Sequence, residues 1–244
     1  MFGKKTSKIE VKSFNQAGLE MAFLNFRQAI LCCITAFLFV ACDFSTSEEI
    51  AEKENHVSCG KAAVCPDMLE AGTICDVRDG KVYKTVKIGS QTWLAENVAY
   101  CTDNTWCYDD NASNCEVYGR LYEWSAAVEA CPEGFHLPSR DEWDLLAAYA
   151  LEQAGDENSS LRSVESWTSS LVTPGNDVFG FTALASGRYY FRAFTDMGYK
   201  AYYWTSESEG SETAYIRSLS GMFSTMGFGN SFKDNGLSVR CIED

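Results

Sequence analysis

Eleven cysteines and two histidines carry most of the reactive chemistry open to this 244-residue chain. Cys32, Cys33 and Cys42 lie in or at the end of an apolar run, and Cys59, Cys65, Cys75, Cys101, Cys107, Cys115, Cys131 and Cys241 are spread through the rest. Such thiols could hold a soft metal, cycle as redox groups or close into disulfides. A metal site has poor support, because there is no C-x-x-C and the histidines, His56 and His136, lie far apart in the chain. An even set in an exported chain reads as a disulfide framework, with the connectivity open among all the pairings the sulfurs allow.

Other residues could do chemistry of a different kind. His136, in Gly134-Phe-His-Leu-Pro138, could serve as a general base. No nucleophile-elbow motif accompanies it, and a histidine packed at a turn is the expectation. The stretch Asp109-Asp-Asn-Ala-Ser-Asn-Cys-Glu116 offers oxygen ligands for calcium. Counted from Asp109, however, Asn114 stands where an EF-hand needs Gly and Arg120 where it needs Glu, so a stapled turn is expected there. No catalytic set, metal or cofactor is assigned. The remaining candidate is aromatic. Tyr189, Tyr190, Phe191, Phe194, Tyr199, Tyr202, Tyr203 and Trp204 crowd one region, with Arg188 and Arg192 among them. Strand alternation would bury about half of these rings, and exposed ones would suit stacking on sugars. Tyr189, Tyr190, Arg192, Tyr202, Tyr203 and Trp204 are the candidate binding residues; the competing reading is that the rings fill a loop-rich core.

The apolar run Ala29-Ile-Leu-Cys-Cys-Ile-Thr-Ala-Phe-Leu-Phe-Val-Ala-Cys42 bears on where this chemistry takes place. It falls short of the roughly 20 residues a membrane-spanning helix needs, and Arg27 flanks it as in an export signal. Phe39-Val-Ala-Cys42 resembles a bacterial lipobox, which implies lipidation of Cys42 and removal of residues 1–41. Met21 would give a more ordinary signal start than Met1. A buried core helix or an uncleaved anchor is the alternative. Cleavage would take five basic and two acidic residues from totals of 20 and 34, moving the formal charge from −14 to −17. A body this acidic repels phosphate backbones, so nucleic acid is not an expected partner. The expected location is the bacterial cell envelope, lipid-anchored at the outer membrane.

Residues 42–71, polar and poor in large apolar side chains, read as a tether, its last part stapled by Cys59–Cys65. Beyond it, Asp79-Gly80 and Gly89-Ser90 mark the turns of a three-stranded meander, with Val82, Val86 and Ile88 on one face. Residues 100–116 read as a loop bracketed by Cys107 and Cys115. Val117, Leu121, Trp124 and Val128 recur at helical spacing, and Pro132 and Gly134 end that helix. Ser139-Arg-Asp-Glu142 is a capping box opening a second helix, with Trp143, Leu146 and Tyr149 on its buried side. Residues 155–176 read as loop. Short aromatic strands follow at 179–184, 186–191, 202–206 and 214–219, then an Asn235-Gly236 turn and a closing strand over 237–242. Strands, two helices and more strands indicate an α+β class.

Several stretches together resemble the Fibrobacter succinogenes major paralogous domain. They are Gly80-Lys-Val-Tyr-Lys-Thr-Val-Lys-Ile-Gly-Ser-Gln-Thr-Trp-Leu-Ala-Glu-Asn97, Tyr118-Gly-Arg-Leu-Tyr-Glu-Trp124, Ala130-Cys-Pro-Glu-Gly-Phe-His-Leu-Pro-Ser139, Glu142-Trp143, Tyr203-Trp-Thr-Ser-Glu207 and Leu237-Ser-Val-Arg-Cys241. The resemblance covers residues 72–244 and implies an irregular, C-type-lectin-like α+β domain, distantly similar to the formylglycine-generating enzyme, and typical of bacterial surface lipoproteins. It brings no established activity. In such folds a disulfide ties the region after the second helix to the last strand; the resemblance implies Cys131–Cys241 as a local variant, with Cys131 just before that helix, and leaves Cys75–Cys101 as a local extra. The function expected is non-catalytic binding of polysaccharide or of another surface protein. The alternatives are an oxidase of the formylglycine-generating kind using a reactive cysteine, or a purely structural surface module.

Overall fold

The computed structural model describes Cys59, residues 63–168 and residues 173–244. The expected signal segment, Cys42, His56 and most of the tether lie outside the described residues. The described body is an irregular α+β fold held by four disulfides. It opens with the expected meander of β1 (Thr73–Cys75), β2 (Val82–Ile88) and β3 (Gln91–Leu94), each strand antiparallel to the next. Val82 nevertheless points outward while Tyr83 is fully buried, because the two ends of β2 bury opposite faces. Tyr83 packs with Leu94 and Val98, whereas Ile88 packs with Trp93 and Trp143.

The middle of the chain departs from the expected long helix. It forms β4 (Thr105–Trp106), a 3-10 turn over Tyr108–Asp110, α1 (Ala112–Tyr118), β5 (Leu121–Tyr122) and a single turn, α2 (Trp124–Ala127). Gly119, at φ +74, breaks the helix, and a Cβ there would lie 2.7 Å from the Asn97 Cβ and the Val98 carbonyl. Arg120 then donates its amide to the Val98 carbonyl (2.9 Å), and Leu121 enters a sheet instead of continuing the stripe. Val117 and Val128 are consequently exposed. The second expected helix is present. After β6 (Phe135–His136) comes α3 (Arg140–Ala154), capped by the reciprocal Ser139–Glu142 bonds. Trp143, Leu146 and Ala150 form its buried stripe, with Tyr149 partly buried beside them.

The C-terminal half supplies β7 (Ser186–Tyr190), β8 (Ala193–Met197), β9 (Lys200–Glu209), β10 (Thr213–Ser220) and β11 (Gly227–Phe232). Residues 179–184, expected as a strand, make only a bridge between Ala183 and Arg162. The expected closing strand is split into β12 (Leu237–Ser238) and β13 (Ile242–Glu243). Between the two, the Val239 and Cys241 carbonyls accept from the Val98 and Leu94 amides instead of continuing one ladder. One sheet runs β1-β2-β3-β13-β6 and the larger runs β11-β10-β9-β12-β5-β4, with β7 joining β9 and β8 pairing only with β7. Trp93, Trp143, Phe181 and Tyr203 meet in one core, ring centroids 4.9–5.9 Å apart. Beside it the fully buried Arg240 donates to the Asn97 side chain (2.6 Å) and to the Leu94 carbonyl (3.2 Å).

The disulfides are Cys59–Cys101, Cys65–Cys75, Cys107–Cys115 and Cys131–Cys241. The expected Cys59–Cys65 and Cys75–Cys101 pairs are thus corrected. The Ala63 amide donates to the Asp79 carbonyl (2.8 Å), which lays this segment along the β1–β2 hairpin and brings Cys65 to Cys75. Cys59 is left to reach Cys101. Cys131–Cys241 spans 110 residues, a closure worth about 4–5 kcal/mol in the chain-entropy picture.

Candidate functional site

The β7–β8 hairpin turns through Phe191 and Arg192, both at positive φ (46° and 63°). Two-residue hairpins favour this geometry but normally place Asn-Gly in it, since a bulky residue there costs about 1–2 kcal/mol. The surroundings hold the turn in place. The Phe191 amide donates to Asn235 Oδ1 (3.1 Å), and the buried Asn235 donates in turn to Ser231 Oγ (3.0 Å). Tyr189 and Gly236 exchange two backbone bonds of 2.8 Å. Gly236 permits that approach, for a Cβ there would lie 2.9 Å from the Trp106 ring. Tyr189 stacks on Trp106 (4.5 Å) and touches Phe194 (5.0 Å), which packs on Tyr108 (5.2 Å). A rigid aromatic base therefore carries a turn whose strained tip presents Phe191, 64% exposed, and Arg192.

The tip continues onto the edge strand of the large sheet. Phe191 lies 4.4 Å from Tyr190 and 5.8 Å from Phe232. Along β11, Phe228, Asn230 and Phe232 face outward, 228 and 232 being about 14 Å apart at strand rise. Phe228 is 83% exposed and Phe232 44%. Their partners on β10 are Arg217, Tyr215 and Thr213. The start of α3 covers the neighbouring part of this face, leaving a groove of about 410 Å³ between helix and strand. Arg140 lies over the Tyr215 ring (4.2 Å), Arg217 pairs with Asp144, and Asn230 bonds Glu209. Arg217 is buried, and its Nε has no hydrogen-bond partner among the described residues.

The six candidate binding residues divide. Arg192 lies at the exposed tip, Tyr190 beside it is half-buried under the Arg188 guanidinium (4.0 Å), and Tyr189 supports the turn from below. Tyr202, Tyr203 and Trp204 are buried, so the binding surface does not extend to them. The reason is the position of β9, which lies between β10 and β12 and is covered on both faces. Tyr203 packs on Trp143 (5.3 Å), while Trp204 packs in the second core and donates to the Tyr122 carbonyl (2.6 Å). Tyr202 closes a small cluster, donating to Asp196 (3.0 Å) under the Arg188 guanidinium (4.3 Å), and burial raises its hydroxyl pKa above the ordinary value. Phe228, Asn230, Phe232, Arg140, Tyr215 and Arg217 were not singled out from sequence. The signal available was the alternation Gly227-Phe-Gly-Asn-Ser-Phe232, in which the small residues Gly227, Gly229 and Ser231 alternate with the outward Phe228, Asn230 and Phe232.

His136 bonds Asp244 through Nδ1 (2.8 Å) and Glu142 through Nε2 (2.9 Å). Burial lowers its pKa, but the two carboxylates outweigh that and raise it overall. Burial likewise raises Glu142, and the Ser139 and His136 bonds reverse this to a net lowering. Ser139 Oγ donates to Glu142, not to the imidazole, so these residues do not form a nucleophile–base pair. In the acidic loop Asn111 caps α1 through the Ser113 amide, and Asn114 donates to the Tyr108 carbonyl. Among the described residues no cluster of His, Cys, Asp and Glu is placed to hold a metal.

A family model for the Fibrobacter succinogenes major domain matches residues 86–243. The chain belongs to that family. The match begins inside β2 and runs through the hairpin, β11 and both sheets. No curated protein and no solved structure matches the chain. The major domain here thus includes the whole aromatic face, while β1 and the Cys65–Cys75 bond precede the matched residues.

Proposed function

We propose that this protein is a lipid-anchored envelope protein whose major domain binds polysaccharide without catalysis. The anchor is Cys42, residues 42–71 form the tether, and the outer membrane is the site. The observation that carries the binding reading is the strained Phe191-Arg192 tip, held open by Asn235 and continuous with exposed Phe232 and Phe228. Backbone strain of this kind concentrates at functional positions, and exposed rings on a rigid base suit the apolar faces of sugars. The groove mixes Arg140 and Arg217 with Asp144 and Glu209, a set able to bond hydroxyls from both sides. The formal charge of −17 left after cleavage, 15 basic against 32 acidic residues, disfavours polyanions, so neutral polysaccharides are the ligand class.

The exported protein, incubated with a panel of insoluble neutral and acidic polysaccharides, should be retained by a neutral one. Phe228→Ala should weaken retention about tenfold, the loss of one stacked ring. No retention on any member defeats the binding reading. The anchor is tested separately. Cys42→Ser should move the protein from the membrane to the soluble envelope fraction, and unchanged fractionation would count against lipidation.

A further inference from the structure

Arg120 is 3% exposed and points into a nest of sulfur. Its Nη1 lies 3.4 Å from both Cys107 Sγ and Cys115 Sγ, and its Nη2 lies 2.9 Å from Cys101 Sγ. Its Nε donates to Thr105 Oγ1 (3.2 Å). One guanidinium therefore touches the Cys107–Cys115 and Cys59–Cys101 disulfides at once. Among the described residues, no cationic side chain is hydrogen-bonded to a sulfur of Cys65–Cys75 or Cys131–Cys241. Arg240, adjacent to Cys241 in sequence, turns its guanidinium to Asn97 and backbone carbonyls instead.

We propose that this nest is a thiol–disulfide exchange site, at which an external dithiol opens Cys107–Cys115. Cys115 is partly exposed while Cys107 is buried, so the attacking thiolate reaches Cys115 Sγ. A bond forms between the incoming sulfur and Cys115, the Cys107–Cys115 bond breaks, and its electron pair stays on Cys107 Sγ. That thiolate is formed against Arg120 Nη1, and a stabilised leaving thiolate departs faster. The second thiol of the dithiol then displaces Cys115, leaving the dithiol oxidised and this protein with one thiolate and one thiol. Burial pushes the Arg120 guanidinium below its ordinary pKa, and an anionic sulfur beside it would relieve that cost. The loop closed by this bond holds Asp109 and Asp110 at positive φ and seats Tyr108 under Phe194. Exchange here would therefore act on the base of the hairpin, although the chemistry is independent of what the aromatic face binds.

Access alone favours other bonds, because Cys59 is exposed and Cys65 and Cys75 are both partly exposed, whereas Cys107 is buried. The oxidised full-length protein, treated with limiting dithiothreitol, alkylated and mapped by peptide mass, gives the order of opening. Cys107 and Cys115 should be labelled about tenfold faster than Cys65 and Cys75. Equal or earlier opening of Cys65–Cys75 overturns the proposal. Arg120→Met keeps apolar bulk and removes the charge, and should slow opening of Cys107–Cys115 about tenfold, with Arg120→Lys restoring much of it. A purely structural arginine gives the opposite sign, since its loss loosens the loop and speeds opening. Should Arg120→Met fail to fold, the order in the unaltered protein decides.

Discussion

Strands β9 and β11 lie two positions apart in one sheet and both carry large aromatics, yet they use them in opposite ways. On β9, Tyr203 and Trp204 point to opposite faces and both are fully buried, one beneath α3 and the other in the second core. On the edge strand β11, Phe228 and Phe232 share one face and both stay exposed, Phe228 at the rim of the α3 groove and Phe232 beside Phe191. The β7–β8 hairpin reinforces the contrast by spending backbone strain to keep Phe191 outward. Place in the sheet, not residue type, separates rings that hold the fold from rings available to a partner.

The largest effect that could break this contrast is on stability. Trp204→Ala should cost about 3–5 kcal/mol in denaturant unfolding, while Phe228→Ala stays within about 0.5 kcal/mol. Similar losses in both would erase the distinction. Asn235→Ala removes the acceptor of the Phe191 amide and a buried bond to Ser231, and should cost about 1–3 kcal/mol while weakening polysaccharide retention. An unfolding midpoint equal to that of the parent would mean that Asn235 does not hold the turn. Phe191→Gly should stabilise the protein by about 1 kcal/mol, through relief of the positive φ, and still lower retention. A stability loss there would show that the tip is not strained.

The smallest effect is expected on β6, in the other sheet. His136 is 41% exposed at its side chain and its pKa is raised, so its contribution is bounded at under about 1 kcal/mol. A raised folded pKa stabilises fully below the unfolded value near 6.5 and loses that contribution as pH rises through the folded value. Unfolding curves of the parent and His136→Asn should therefore converge as pH rises through that window. A gap that widens with pH would reverse the sign.

Local signals were legible in the sequence where short-range chemistry decides. The Ser139–Glu142 box and the Asp79-Gly80 hairpin stand where their residues place them, whereas the turn expected at Asn235-Gly236 falls two residues earlier, at Lys233-Asp234, where the Asn235 amide donates to the Phe232 carbonyl and Gly236 bridges Tyr189. The stripe Val117, Leu121, Trp124, Val128 misled because Gly119 and the pairing of Leu121 with Trp106 and Ser238 override helical spacing. Cysteine pairing followed the same division. Cys107–Cys115, which closes a short loop, was readable, whereas the partners of Cys59 and Cys75 depended on where the upstream segment docks. Half of the candidate site was visible as an aromatic crowd. Its other half, Phe228 and Phe232, was hidden because only the sheet order shows β11 to be an edge. Arg140 and Arg217, 77 residues apart, meet only once α3 lies across β10.

The most direct measurement compares the unaltered protein with Phe191→Ala/Phe228→Ala/Phe232→Ala on neutral polysaccharides, alongside the unfolding midpoint of each. The exposed rings should prove dispensable for folding and necessary for retention: the parent binds, the triple variant does not, and both unfold cooperatively at similar denaturant concentrations. Equal retention of the two proteins would contradict assignment of the binding face to the sheet edge.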